Sequence, residues 1–451
     1  MALVYEPMTT ESPITLQDVP PAEEGTPLSE APSTFGGAPS AGLQVSRVIG
    51  SMEGPGPGAD QGPLLICVAG LHGNEPAGVL ALERVFRTLR TEAERGVSPV
   101  MGRFVGLAGN LQALERRCRF VDLDLNRLWT VPYLERARNG HGAGGDGSPD
   151  NGPDKGQPAS PDAARPAEDR ELVELASRLG EILGGIPEAR RHEVFLLDLH
   201  TASGPGPAFT VLDDTLPNRE FALDLQAPVV LGIEEELDGT LMHYVSDLGF
   251  TAVGFEGGRH DDPAAVDRAE AAVWIALETS GVLPPEHPRI ARSCELLAEA
   301  SRDFPRVVEV LYRHVLAPGD GFRIDRGLAG FDRVKAGRVL GTDRQGSIAA
   351  RESGLVLMPL YQDQGDEGFF LVRPVHPLWL SVSKAVRRLH LERLLHWLPG
   401  VRRHPELPKS FVVDRKIARW VAPELFHLLG FRRQGSAESR YLVMSRRFGD
   451  R

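Results

Sequence analysis

The sequence predicts an α/β protein: a mixed, mostly parallel sheet with helices on both faces, followed by a smaller C-terminal β domain. Two observations carry this expectation. Short, continuously apolar runs alternate with amphipathic helical stretches through the first two thirds of the chain, the pattern of strands buried on both faces and linked by crossover helices. Beyond about residue 305 the texture changes to brief β-rich runs broken by Gly and Pro, as in VVEVLYRHVLAPGDGFRI and GLVLMPLYQD, which suggests hairpins rather than crossovers.

Taken in order, residues 1–42 are rich in Pro, Ser, Thr, Glu and Gly without a sustained apolar period, so they cannot bury enough surface to offset chain entropy and are expected to be a disordered arm. Residues 43–300 form the main domain. Within it LLICVAG (64–70), RFVGLAG (103–109), EVFLLDLH (193–200) and FTAVGFEGG (250–258) are strand-like, whereas Pro76 to Thr91, Asp169 to Leu183 and Pro263 to Ser280 repeat apolar residues three or four apart, as helices do. A Gly/Pro/Asp-rich segment at 137–168 interrupts this domain and is expected to be a disordered surface insertion. The β domain is assigned to 301–380. Residues 381–451 are expected to be a helical, basic tail to which no role is assigned, closed by a strand-like Tyr441 to Ser445.

The chain has 451 residues, enough for more than one compact unit. A formal charge of -12 with no concentrated cationic stripe argues against nucleic acid as a partner. Its three cysteines, Cys67, Cys118 and Cys294, are odd in number and widely spaced, so neither a disulfide framework nor a thiolate metal site is suggested. The N-terminus lacks a charged-then-apolar leader and no segment offers ~18 consecutive apolar residues. A cytoplasmic protein without a membrane partner is therefore expected, of undetermined oligomeric state.

Chemistry concentrates where strands end. The first apolar strand runs into Gly70-Leu71-His72-Gly73-Asn74-Glu75-Pro76, with Pro76 placed to start the next helix. His72 and Glu75 thus lie at the carboxyl end of a strand, where open α/β sheets form their ligand crevices. His200 ends a second such strand, with Asp198 two residues earlier on the same face. Two His and one Glu form a known catalytic zinc set that leaves a position open. Taken singly, a His-x-x-Glu is common and an Asp-x-His usually anchors a loop; their joint position at strand ends is what singles them out.

A hydrolytic metal site also needs a carboxylate outside the ligand set to move protons. Glu256, at the end of FTAVGFEGG, fits this role, the plainer alternative being a capping or salt-bridged Glu before the helix at Pro263. The segment Arg119-Phe120-Val121-Asp122-Leu123-Asp124-Leu125-Asn126-Arg127 offers two guanidinium groups and an amide, suited to carboxylates and developing oxyanions. Alone it would read as an edge strand with surface ion pairs.

Together GLHGNEPAG, Gly109-Asn110, RFVDLDLNR, DLHTASG and FEGG, in that order between about residues 45 and 380, resemble the succinylglutamate desuccinylase/aspartoacylase family, distant relatives of the zinc carboxypeptidases. The resemblance implies a zinc carboxypeptidase-like catalytic domain and a β domain that shapes its pocket. It further implies one Zn²⁺ per chain on His72, Glu75 and His200, water activated by Glu256, a carbonyl polarised by Arg119, and a substrate carboxylate held by Asn126 and Arg127. One position departs: where aspartoacylases carry a second substrate arginine, ten residues before the catalytic glutamate, this chain has Ser246, with His243 and Tyr244 nearby. The expected activity is zinc-dependent removal of an acyl group from an N-acyl amino acid or similar small carboxylate-bearing amide. The alternatives are a peptidase or esterase at the same metal, or a silent metal-binding regulator.

Overall fold

A computed structural model describes residues 43–55, 61–96, 99–140, 165–405, 407, 410–414, 417, 423–434 and 441–445. The expected arm at 1–42 and residues 141–164 of the expected insertion lie outside the described residues.

The strands are β1 (Val48–Glu53), β2 (Leu64–Ala69), β3 (Arg103–Ala108), β4 (Val194–Ala202), β5 (Phe209–Leu212), β6 (Val229–Leu231), β7 (Thr251–Arg259), β8 (Val307–Val315), β9 (Arg323–Ile324), β10 (Arg333–Val334), β11 (Val339–Asp343), β12 (Gly346–Ala349), β13 (Gly354–Leu357), β14 (Glu367–Pro374), β15 (Val401–Arg403), β16 (Ser410–Asp414), β17 (Arg432–Gln434) and β18 (Tyr441–Ser445). The helices are α1 (Ala77–Glu94), α2 (Leu111–Arg116), α3 (Val131–Asn139), α4 (Ala167–Leu183), α5 (Leu216–Asp224), α6 (Leu241–Asp247), α7 (Pro263–Thr279), α8 (Pro288–Ser301), α9 (Pro377–Arg388) and α10 (Pro423–Leu428). The four apolar runs read from the sequence are β2, β3, β4 and β7. The three amphipathic stretches are α1, α4 and α7.

An eleven-stranded sheet runs β1-β3-β2-β4-β7-β5-β6-β8-β14-β13-β10. Its β3-β2-β4-β7 block is parallel, and so is β5-β6-β8. Strand β2 is entirely buried, and Leu65, Ile66, Cys67 and Val68 have no exposed surface, which is why its sequence shows no alternation. Both faces of β7 are covered: a Cβ on Gly254 would strike Val211 and approach Met242 of α6, whereas one on Gly257 would meet Ala265 of α7. Even and odd positions on a strand face opposite ways, so these helices lie on opposite sides of the sheet. The chain leaves β2 for β3 on one side and returns to β4 on the other. The topological switch point therefore falls between the carboxyl ends of β2 and β4.

The C-terminal half corrects the sequence reading in two respects. Strands β8, β10, β13 and β14 of the 301–380 segment extend the main sheet, and β9, β11 and β12 form a separate three-stranded sheet. Residues 381–451 hold most of α9, and α10, as well as the expected strand Tyr441–Ser445, but are not only a helical tail: β15, β16, β17 and β18 build an antiparallel sheet around a second small core of Leu395, Val401, Phe411, Phe426, Phe431 and Met444. Those strands are three to five residues long, too short for alternation to stand out against basic flanks.

This C-terminal unit is fastened to the main domain by buried charges. Asp214, whose side chain has no exposed surface, accepts from Arg219 Nε at 2.9 Å and Arg387 Nη2 at 2.9 Å and is also bonded by Arg432. His427 bridges Glu235 (3.0 Å) and Glu309 (3.1 Å). Burial and Arg432 push His427 down, but the two carboxylates outweigh them and hold it above its ordinary 6.5. Burial pushes Glu309 up, yet His427 and Arg432 bring it to about 2. A raised histidine contributes stability fully below pH 6.5 that is lost as pH rises through its folded pKa; a depressed carboxylate contributes above pH 4.5 and is lost as pH falls toward about 2. His427→Gln should therefore lower stability by about 1–3 kcal/mol near pH 6, and the urea midpoints of variant and wild type should converge as pH is raised to alkaline values. Parallel pH curves for the two would refute this bridge.

Candidate active site

Gly70 ends β2 in the left-handed region (φ +71°), turning the chain toward the sheet edge. Gly73 is required by contact: a Cβ there would lie 1.9 Å from the Ala113 carbonyl carbon. Gly109 likewise lets the end of β3 approach Leu71, whose Cα would be 2.6 Å from a Cβ. Asn110 then caps α2 by accepting from the Ala113 N–H at 3.0 Å. This packing holds the loop rigid before any ligand is considered.

His72, Glu75 and His200 converge, with one potential donor atom from each lying within 4.8 Å of the others. His72 Nδ1 is 2.8 Å from Glu75 Oε1, and His200 Nδ1 is 3.1 Å from Glu75 Oε2. The far nitrogen of each imidazole meets another carboxylate: His72 Nε2 lies 3.0 Å from Asp124 Oδ1 and His200 Nε2 lies 2.9 Å from Asp198 Oδ2. All three converging residues are buried, at 4%, 2% and 8% exposure. Burial pushes Glu75 up but the two imidazoles hold it well below the carboxylate range; burial pushes His200 down but Asp198 and Glu75 hold it well above 6.5.

Glu75, Asp124 and Asp198 face two imidazoles and Arg119 in a dry site, which calls for more positive charge. A divalent cation would supply it, held by His72, Glu75 and His200, with Asp124 and Asp198 beside the far imidazole nitrogens as acceptors that orient histidine ligands. The two-nitrogen, one-carboxylate set suits zinc. The residues fit the metal that the sequence implies.

Glu256 arrives by register. His200 on β4 is the partner of Glu256 on β7, so two residues 56 positions apart in the chain become lateral neighbours at one sheet edge. Glu256 is 7% exposed, and burial pushes its carboxyl up to about 7. Its Oε2 has no hydrogen-bond partner. It is not the cap of α7, which Asp262 provides by accepting from the Ala264 N–H at 3.0 Å.

The Arg119–Arg127 segment is a half-buried loop with a short 3-10 turn at Leu125–Arg127, not an edge strand. Arg119 grips Asp124 Oδ2 through Nε (3.2 Å) and Nη2 (2.9 Å) and places Nη1 3.6 Å from Glu75 Oε1. Asn126 accepts from the Leu241 N–H at 2.9 Å, with Nδ2 at 3.5 Å from His200 Nε2. Arg127 does not stand free: its Nη2 is 3.0 Å from Glu367 Oε1, which Arg313 shares at 2.8 Å. Ser246 is 1% exposed and accepts from Asn218 Nδ2 at 3.1 Å. Tyr244 packs on Trp129, and His243 pairs with Asp213 at 3.1 Å.

Several residues escaped the sequence reading. Asp124 ties His72 to Arg119, a role hidden in what looked like simple alternation. Glu168, fully buried at the start of α4, accepts from the N–H groups of Val121 (2.7 Å), Asp122 (3.0 Å) and Leu123 (3.0 Å) and from Asn110 Nδ2 (3.0 Å). The β13–β14 loop reaches over the site: Gln362 accepts from Asn74 at 2.8 Å and meets His260 at 3.1 Å, and Gln364 accepts from the Arg119 N–H, 245 positions away, at 3.2 Å. No local signal marks such contacts. Glu168→Ala strands four donors, one of them on fully buried Asn110, so it should cost roughly 1–3 kcal/mol and loosen Arg119 and Arg127; unchanged thermal unfolding would refute the clamp.

Residues 61–143, which span the His72/Glu75 loop and the Arg119–Arg127 loop, match the model of the succinylglutamate desuccinylase/aspartoacylase catalytic domain. Over this stretch the chain is similar to that catalytic domain. It is 39% identical over 80 residues to the succinylglutamate desuccinylase of Pseudomonas paraeruginosa and 40% identical over 81 residues to that of Ectopseudomonas mendocina, in each case 18% of this chain and 23% of the relative. The matched stretch thus spans about a quarter of the curated relatives. Among solved structures, the succinylglutamate desuccinylase of Vibrio parahaemolyticus aligns with 70% of this chain and 83% of its own at 19% identity and a TM-score of 0.46. Murine aminoacylase 3 aligns with 70% and 96% at 17% identity and a TM-score of 0.41.

Proposed function

We propose that this protein is a member of the succinylglutamate desuccinylase/aspartoacylase family and a zinc-dependent hydrolase that removes an acyl group from an N-acyl amino acid or a similar small, carboxylate-bearing amide. The observation that carries the reading is the meeting of His72, Glu75 and His200 at the switch point, with Glu256 set beside them by strand register. Zinc held by the three residues would supply a Lewis acid that polarises the scissile carbonyl and lowers the pKa of water.

The chain's own residues do the rest. Glu256 takes the proton from the attacking water and returns it to the leaving amine, a task suited to a carboxyl poised near neutrality. Arg119, cationic and locked on Asp124, faces charge developing on the carbonyl oxygen. Asp124 and Asp198 hold the ligand imidazoles. Asn126 and Arg127 receive the substrate carboxylate, for which Arg127 must share or exchange its bond to Glu367.

That pairing is the observation favouring the alternative, an esterase or peptidase at the same metal whose substrate makes less use of Arg127. The decisive experiment assays N-acetyl, N-succinyl and longer N-acyl amino acids, with matched neutral esters and amides, using wild type and Arg127→Ala with metal content measured. The expected result is chelator-sensitive turnover of N-acyl amino acids, with KM raised about 10- to 150-fold in the variant, equivalent to ~1.5–3 kcal/mol. Turnover of neutral esters that is indifferent to Arg127 would select the alternative. Stoichiometric zinc with no turnover of any compound would select a binding protein.

A further inference from the structure

Helix α9 is turned inside out. The side chains it buries are polar: Ser383 at 2% and Arg387 at 1% exposure. Ser383 Oγ donates to the Leu428 carbonyl at 2.7 Å and accepts from Arg219 Nη1 at 3.2 Å, and Arg387 donates to the carbonyls of Asp214 (2.8 Å) and His427 (3.0 Å) as well as to the Asp214 carboxylate. Leu380 and Val386 pack partly against the two neighbouring cores, but a second apolar set faces water. Leu378, Val382 and Leu389, spaced four and seven apart on one stripe, are 69%, 44% and 69% exposed, with Trp379 beside them at 46%. The next turn, against which α9 packs, adds Leu394 at 50% and Trp397 at 75%.

Such a surface departs from the rest of the molecule, where Trp129 and Trp274 are 2% and 1% exposed. Helices normally turn their apolar stripe to the core. Here the ionic cluster at Asp214 fixes the rotation of α9, so the stripe must face outward. A large exposed apolar patch marks a docking surface.

Charge decides the occupant. Outside the buried Arg387, residues 377–404 carry five Lys or Arg against one Glu, in a chain whose formal charge is -12. Lys384 and Arg388 flank the stripe and share the single carboxylate of Glu220 at 2.7 and 3.5 Å, and Arg393 is exposed one turn further on. A second copy docked on this face would bring like charges together. An anionic surface would be attracted to this face while the acidic remainder of the protein is turned away. Tryptophan and leucine beside Lys and Arg form the composition that lies in a bilayer interface without crossing it, consistent with there being no helix among the described residues long and apolar enough to span one.

We propose that α9 and the turn that follows it are a docking face for an anionic lipid surface, with Trp379, Trp397, Leu378 and Leu389 entering the interface and Lys384, Arg388 and Arg393 meeting the headgroups. The sequence reading, which considered only spanning segments and leaders, expected no membrane partner. The proposal does not depend on the catalytic reading.

The test is co-sedimentation of the full-length protein with vesicles of phosphatidylcholine alone and of phosphatidylcholine mixed with phosphatidylglycerol, at low and high salt, together with sedimentation-velocity measurements without lipid. Wild type should bind the phosphatidylglycerol vesicles, with a blue shift of tryptophan emission and release at high salt. Leu378→Gln combined with Trp397→Ala should weaken binding roughly tenfold or more, and Arg393→Glu should weaken it at low salt; all three changes are at exposed positions, so unfolding transitions should match wild type. No binding to either vesicle overturns the proposal, as does equal, salt-insensitive binding to both. Lipid-free dimerisation abolished by Trp397→Ala, with no vesicle binding, overturns it in favour of a second copy on this face.

Discussion

Glu256→Gln should lower kcat by about two to four orders of magnitude, the usual contribution of a positioned general base, while leaving zinc content unchanged. The substitution keeps the shape of the side chain and its place opposite His200 in the β4–β7 register but removes the group that can accept a proton. Because Glu256 is not one of the three converging donors, metal binding should not follow activity. Its Oε2 makes no hydrogen bond to protein, so the exchange breaks no internal contact and stability should change little. Full metal occupancy with undiminished turnover would refute the proposed role of Glu256. Loss of metal together with activity would move Glu256 into the ligand set.

Asp124→Ala should weaken zinc binding about 10- to 100-fold, the range for removing a carboxylate that orients a ligand histidine, and should depress turnover further at saturating zinc. Two effects add here because Asp124 has two side-chain partners, besides the Asn126 N–H that it caps: Oδ1 faces His72 Nε2 at 3.0 Å and Oδ2 receives both Nε and Nη2 of Arg119. Without it the imidazole loses its orienting acceptor. Arg119 loses the carboxylate that counterbalances its charge, leaving Glu75 as its nearest anion at 3.6 Å. Asp124→Asn should retain part of the zinc affinity, since an amide oxygen still accepts from His72, but should not restore Arg119. Competition against a chromogenic chelator gives the affinity, and kcat at saturating zinc gives the remainder. Equal zinc affinity in wild type, Asp124→Ala and Asp124→Asn would remove Asp124 from the site.

These two residues differ in how visible they were. Glu256 could be proposed from the sequence because it closes an apolar strand and is followed by two glycines, a local signal. Asp124 lies within a motif that was noticed for its arginines, and nothing local distinguishes it from Asp122, whose carboxylate instead accepts from the Ala167 N–H at 2.7 Å. Which aspartate faces the site depends on how Glu168 clamps the backbone of residues 121–123.

By itself the sequence determined the α/β class, the strands β2, β3, β4 and β7, the helices α1, α4 and α7, and the residue types at the strand ends. Those features follow from local periodicity and from Gly and Pro at turns, which neighbouring residues suffice to express. Tertiary structure alone decided the β4–β7 register that seats Glu256 beside His200, the burial of Arg127 against Glu367, and the reach of Gln362 and Gln364 over the site. It also placed an antiparallel sheet within the expected helical tail and turned Arg387 of α9 inward onto Asp214, leaving Leu378, Val382 and Leu389 exposed. Each of these depends on pairing or charge compensation between segments far apart in the chain, where the free energy belongs to the contact and leaves no trace in either segment read alone.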